Sequence, residues 1–265
     1  MLEVSDLVIK YNDFVAVNNI RLSASDDEFI GIIGPNGSGK STLLRAISGF
    51  YRPTQGNVFL DEKDIYKMSP KERAKNISFV PEEVDTAFAF TVKEIVLMGR
   101  YPYQRHFLSE EKEDFRIAER NLRLLEIEEL ADRYINELSS GEKQRVIIAR
   151  ALCQESRFML LDEPTSHLDI SHQVEILDII KRLNVAKKIT VIIVMHDLNL
   201  ASEYCDRILL LKKGNIYAEG TPDEIITYQN IEYVYNTVVV VNKNPVSGKP
   251  HILSVPQWNK GDATI

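Results

Sequence analysis

The run Phe29-Ile30-Gly31-Ile32-Ile33 followed by Gly34-Pro35-Asn36-Gly37-Ser38-Gly39-Lys40-Ser41-Thr42 decides the fold. An apolar stretch of strand length meets a glycine-rich bend, and a helical pattern continues from Lys40 to Ser48. Together they read as a strand, a phosphate-binding loop and a helix. The glycines let the backbone bend so that successive N–H groups face phosphate oxygens, and the helix that follows adds its positive N-terminal end. Lys40 is then placed to bridge terminal phosphates, Ser41 to hold a magnesium ion and Thr42 to meet an inner phosphate.

A second signal is Phe158-Met159-Leu160-Leu161-Asp162-Glu163, an apolar strand that ends in two acids. In a parallel sheet such a strand delivers Asp162 to the C-terminal edge, where ligands of these folds bind, within reach of magnesium through water. Glu163 is expected beside the terminal phosphate, as the general base that polarises the attacking water. His196 follows another apolar strand, Thr190–Met195, so it is expected at the same edge, against the terminal phosphate.

Outward from these motifs the chain splits into three zones. Short strand-like segments (2–9, 20–24, 28–33 and 56–60) fill the first sixty residues. Apolar spacing of three and four predicts helices over Thr91–Met98, Glu110–Leu125 and Ser140–Cys153. From Phe158 strand and helix alternate, with helices over Ser171–Asn184 and Leu198–Tyr204, which means a parallel sheet covered on both faces. After Tyr228 the composition shifts to a short β-type appendage with Pro and Gly turns.

The 265 residues suffice for one large domain with a small appendage. A hydrophobic fraction of 44% with 27% charged residues is that of an ordinary soluble protein. The net charge of −7 argues against a nucleic-acid surface, which needs clustered Lys and Arg. No apolar run approaches the roughly 20 residues of a membrane-spanning helix, and the N-terminus lacks the order of a secretory signal. Cys153 and Cys205 lack metal-ligand spacing and read as buried, reduced thiols in a cytosolic protein.

Just ahead of the Asp162 strand, Leu138-Ser139-Ser140-Gly141-Glu142 with Lys143-Gln144-Arg145 resembles the signature motif of ABC (ATP-binding cassette) ATPases. The resemblance covers residues 1–228. It implies an α/β P-loop NTPase fold: a RecA-like parallel-sheet core, an antiparallel β subdomain and a helical subdomain at about 86–151, followed by the appendage at 229–265. It also implies hydrolysis of ATP with Mg2+, and a nucleotide-sandwich homodimer in which Ser139, Ser140, Gly141 and Glu142 grip the ATP held by a second copy. Tyr11 matches the aromatic that stacks on adenine. Ser166-His167-Leu168-Asp169 resembles the D-loop that links hydrolysis to the partner, with Asp169 its acid and His167 a contact residue. Phe79-Val80-Pro81-Glu82 matches the loop that touches magnesium, but Glu82 stands where glutamine is usual, beside Glu83. Ser140 and Glu142 likewise replace a commoner glycine and glutamine.

A single cassette without long coiled coils favours a transporter over repair, chromosome or translation ATPases, with an iron-sulfur assembly ATPase as a minor alternative. The stretches Thr91–Tyr103 and Thr165–Gln173, and the Asn244-Pro245 tail, resemble importers of iron chelates (siderophores), haem and vitamin B12. Zinc or manganese importers are the runner-up. The resemblance implies a peripheral subunit on the cytoplasmic side of the inner membrane, held by transmembrane permease subunits and served indirectly by an extracytoplasmic substrate-binding protein. Phe88 and Phe90 are expected to line the groove in which the permease docks.

Overall fold

The computed structural model describes residues 1–82, 89–104, 112–166 and 168–256. Of the residues singled out above, Glu83, Phe88 and His167 lie outside the described ones.

In chain order, β1 (Leu2–Tyr11) and β2 (Phe14–Ala24) form a hairpin whose turn has Asn12 in the left-handed region, φ 52°. The core strand β3 (Phe29–Ile33) leads through the glycine loop into α1 (Lys40–Ile47). The chain then forms β4 (Gln55–Leu60), the two-residue β5 (Lys63–Asp64), α2 (Pro70–Ala74) and β6 (Ile77–Val80). Three helices follow, α3 (Val92–Met98), α4 (Lys112–Leu124) and α5 (Ser140–Cys153). Then come β7 (Phe158–Asp162), α6 (Ile170–Lys187), β8 (Thr190–Val194), α7 (Leu198–Tyr204), β9 (Arg207–Lys212) and β10 (Asn215–Gly220). The last elements are α8 (Pro222–Ile225), α9 (Tyr228–Tyr235) and the hairpin β11 (Val239–Lys243) with β12 (Pro250–Ser254).

The central sheet has the order β10-β9-β3-β8-β7-β6 and is parallel except for β10. Its inner strands β9, β3, β8 and β7 are buried on both faces, yet their side chains still alternate between two cores. Met159, Leu161, Val191 and Ile193 face a core shared with α3, α4, α5 and α6. Phe158, Leu160, Ile192 and Val194 face a second core, shared with α1 and the antiparallel sheet β2-β1-β4-β5. The alternation is the pleat of a strand sandwiched between two layers. Each fully buried aliphatic or aromatic side chain here is worth about 1.5–3 kcal/mol over leaving it exposed.

Local chemistry sets the helix starts. Thr91 and Glu94 form a reciprocal capping box on α3, and Ser139 and Glu142 do the same on α5. Asp169 and Asp197 cap α6 and α7. Arg100, 5% exposed, closes the three-helix layer: it donates to Asp114, to the Cys153 carbonyl and to Glu155, at 2.8, 2.7 and 2.9 Å.

Two regions read differently from the sequence. The stretch after Tyr228 opens with a helix before the hairpin, because Thr227 caps it and Ile231 and Val234, three apart, both turn into the core. Strand β10 was not visible because it is a short edge strand with no buried residue, in which only Ile216 and Ala218 form a half-buried apolar face.

Candidate functional site

Register brings the motifs to one edge. Ile32 pairs with Val194, and Val194 with Asp162, so β3, β8 and β7 end level with one another. Beyond those ends lie Gly34, His196 and Glu163, and the neighbouring β6 ends just before Glu82. They enclose a cleft of about 320 Å3 lined by Asn36, Gly37, Gly39, Lys40, Ser41, Thr42, Glu82, Glu163 and His196.

The loop between β3 and α1 needs its glycines. A Cβ on Gly34 would lie 2.4 Å from the Leu211 carbonyl oxygen, and one on Gly39 would lie 2.3 Å from that of Ala16. Gly37, with open space around it, has φ +76° instead. Unlike α3, α5, α6 and α7, helix α1 carries no side-chain cap. Its first-turn N–H groups are therefore left for an anion. Lys40, 5% exposed, folds back so that Nζ donates to the carbonyls of Gly34 at 2.9 Å and Pro35 at 3.3 Å. Burial pulls its pKa down, and Glu163, Asp162 and Glu82 oppose that pull.

Asp162 has no exposure, and neither carboxylate oxygen makes a hydrogen bond of normal geometry. Arg45 Nε lies 3.5 Å away. Burial pushes this carboxyl above the usual carboxylate range, against the pull of the facing Ser41 hydroxyl, Arg45 and Lys40. A buried anion without hydrogen bonds is costly unless a cation compensates it. The site therefore fits a hard divalent ion, with the Ser41 and Asp162 oxygens as its natural ligands.

Glu163 sits in the left-handed region at φ 52°, a conformation costing on the order of 1–3 kcal/mol when forced on a non-glycine residue. Its carbonyl is held there by the Ser166 N–H at 3.1 Å and the Ser166 hydroxyl at 2.9 Å. The twist turns the Glu163 carboxylate onto His196, with Oε2 2.6 Å from Nε2.

A family model described as ABC transporter matches residues 17–166, more than half of the chain. The chain belongs to the ABC transporter family. Its activity is ATP binding and hydrolysis, and its fold is that of an ABC ATPase cassette. The ferric enterobactin transport ATP-binding protein FepC of Escherichia coli is 39% identical over 95% of this chain and 93% of its own length. A solved ABC transporter of the metal-chelate type, in an inward-facing conformation, superposes with a TM-score of 0.84 at 29% identity, covering 97% of this chain and 98% of that one. The cassette MJ0796, solved as a dimer in a post-hydrolysis state with ADP and Pi, superposes with a TM-score of 0.75 at 32% identity over 83% of this chain and 98% of that one.

The signature segment of this cassette is not among the residues lining the cleft. Ser139 and Ser140 are exposed at the start of α5, and the Ser139 N–H and hydroxyl both donate to Glu142, at 2.8 and 2.7 Å. Those two donors hold the Glu142 carboxyl below its ordinary range. Within one cassette the crowded position is Gly141, not Ser140: a Cβ on Gly141 would meet the His172 ring at 3.2 Å. His172 Nδ1 in turn lies 2.8 Å from Asp169 Oδ1, which links the signature helix to the segment carrying Asp169.

Tyr11 ends β1, 43% exposed, with its ring edge-on to Tyr51 at 5.9 Å. Tyr51 and its neighbour Phe50 were not anticipated, because they lie in a loop with no periodicity to mark them. Arg45 was also missed, although its spacing of four from Ser41 on α1 places it on the same helical face. Cys153 and Cys205 are buried free thiols.

Proposed function

We propose that this ABC ATPase powers the uptake of an iron chelate of the siderophore class. The observation that carries the site reading is the convergence of Lys40, Asp162, Glu163 and His196 at one sheet edge. Residues 34–42 (Gly34, Pro35, Asn36, Gly37, Ser38, Gly39, Lys40, Ser41 and Thr42) form the loop whose backbone N–H groups, which Pro35 lacks, cradle the phosphates, and Tyr11 stacks on adenine. Lys40 exchanges the Gly34 and Pro35 carbonyls for terminal phosphate oxygens.

Ser41 and Asp162 would hold a magnesium ion, with Glu82 lining the same cleft; such an ion supplies neutralisation of phosphate charge. Glu163 accepts the proton of the attacking water, and His196 fixes the Glu163 carboxylate while facing the terminal phosphate.

A second copy would present Ser139, Ser140, Gly141 and Glu142 to this cleft, with Asp169 at the seam. The exposed Ile170, 81% accessible immediately after Asp169, supports a covered face there. Closure over two ATP molecules and reopening after hydrolysis would drive permease subunits, the work coming from the different ATP affinities of open and closed states. Among the described residues no helix is long and apolar enough to cross a membrane, which accords with a subunit held at the cytoplasmic face by a permease. Phe90, 39% exposed, is offered to that partner, and a substrate-binding protein would feed the permease from outside.

The iron-chelate reading rests on the likeness to FepC and to the metal-chelate transporter. Its test is to recover the native complex, reconstitute it in liposomes and measure ATPase with a ferric siderophore, haem, a corrinoid, and bare zinc or manganese. Stimulation by the ferric siderophore is expected. Stimulation by bare metal alone would replace iron chelates with divalent metals as cargo, and recovery of soluble partners only would overturn the transport reading.

A further inference from the structure

The C-terminal segment after residue 228 shares no motif with the nucleotide site, yet it touches both of its walls. On the phosphate-loop side, Lys212 at the end of β9 donates to the Tyr233 carbonyl at 2.6 Å and lies 3.3 Å over the Tyr233 ring. That fixes the C-terminal end of α9 beside β9, whose Leu211 carbonyl packs against Gly34. Tyr235, the last residue of α9, then packs on the core that contains Ile33.

On the other wall, the β11–β12 hairpin is fastened to α7. The Asn199 side chain pairs with the Ile252 backbone in both directions, accepting from its N–H at 2.7 Å and donating to its carbonyl at 3.3 Å. Ser202 donates to the Pro250 carbonyl at 2.7 Å in a fully buried contact. Glu203 accepts from Asn244 at 2.8 Å and Ser247 at 2.7 Å, and Lys249 donates to the Glu203 carbonyl at 2.8 Å. Helix α7 begins at the Asp197 cap, one residue after His196. None of these bonds belongs to the β11–β12 ladder itself.

We propose that the C-terminal hairpin is a positioning element of the ATP site: the Asn199–Ile252 clasp sets α7 and hence His196 against Glu163. Loss of the clasp displaces a group that acts in hydrolysis and leaves ground-state ATP binding in place. The proposal rests on ATP hydrolysis at this cleft and is independent of cargo.

The test uses the full chain and separates KM from kcat. Asn199→Ala is expected to lower kcat by about tenfold with KM little changed, as small displacements of a catalytic group do. Asn199→Asp, which keeps the acceptor for the Ile252 N–H, should restore most of kcat. Val246→Ser, at a 94% exposed hairpin tip, should behave as wild type in both constants.

The proposal is overturned if Asn199→Ala leaves kcat unchanged. It is equally overturned if that variant lowers thermal stability and changes KM and kcat alike, because a purely structural contact gives no split. An inactive wild-type protein would instead refute the ATPase reading of the cleft.

Discussion

His196 Nε2 lies 2.6 Å from Glu163 Oε2, although the two residues end neighbouring strands and Glu163 reaches the contact only through a left-handed backbone. Because the carboxylate is held rather than free, removing its charge and removing its holder have different consequences. Glu163→Gln is expected to cut ATP turnover by about 10²–10⁴-fold while ATP binding persists, trapping an ATP-dependent dimer visible by size-exclusion chromatography. His196→Ala should reduce turnover without that stable trap. Normal hydrolysis by Glu163→Gln would assign the base to another residue.

Tyr11 is 43% exposed, and its ring stands at 83° to that of Tyr51. Tyr11→Ala is expected to weaken ATP binding by about 1–3 kcal/mol, the scale of base–aromatic stacking, and Tyr11→Phe to preserve it. Calorimetric titration with ATP and with inorganic tripolyphosphate checks this, since only the ATP affinity should fall.

Glu82 adds a carboxylate to a cleft that already holds Asp162 and Glu163 around Lys40. Glu82→Gln is expected to keep or raise the steady-state ATPase rate, because less negative charge then faces the polyphosphate. A large loss of rate would show the carboxylate to be required.

Arg100 is buried among Asp114, Glu155 and the Cys153 carbonyl, and its guanidinium also lies 4.0 Å over the Tyr103 ring. Arg100→Ala would break the buried ion pair with Asp114, itself 5% exposed. The expected destabilisation is about 3–5 kcal/mol in denaturant unfolding. A loss below 1 kcal/mol would mean that water reaches Asp114.

Burial pushes the thiols of Cys153 and Cys205 up, from an ordinary 9.0 to about 11 and about 12. A raised pKa in the folded state means that unfolding releases thiol protons once the pH exceeds 9.0. The stability associated with the neutral thiols is therefore complete below that value and declines as pH rises towards 11 and 12. Cys153→Ser and Cys205→Ala should flatten the alkaline limb of a stability–pH curve. In the folded wild type, iodoacetamide should react with neither thiol at pH 8.

The sequence by itself determined the elements whose signals are local. The glycine loop, the apolar strands ending in Asp162 and His196, and helices such as Ser140–Cys153 and Leu198–Tyr204 were legible because backbone freedom, side-chain period and capping act within a few residues. Because parallel strands must end at a common edge, the same reading placed Lys40, Asp162, Glu163 and His196 together.

Tertiary structure alone decided contacts between segments far apart in the chain. It set Tyr51 against Tyr11, the His172 ring against Gly141, and the hairpin of β11 and β12 on α7. It also docked α9 on the core, since Ile231 and Val234 gain a buried face only once the sheet is assembled. Such pairings leave no local periodicity: their free energy comes from surfaces that exist only after the chain has folded, so no single stretch of sequence encodes them.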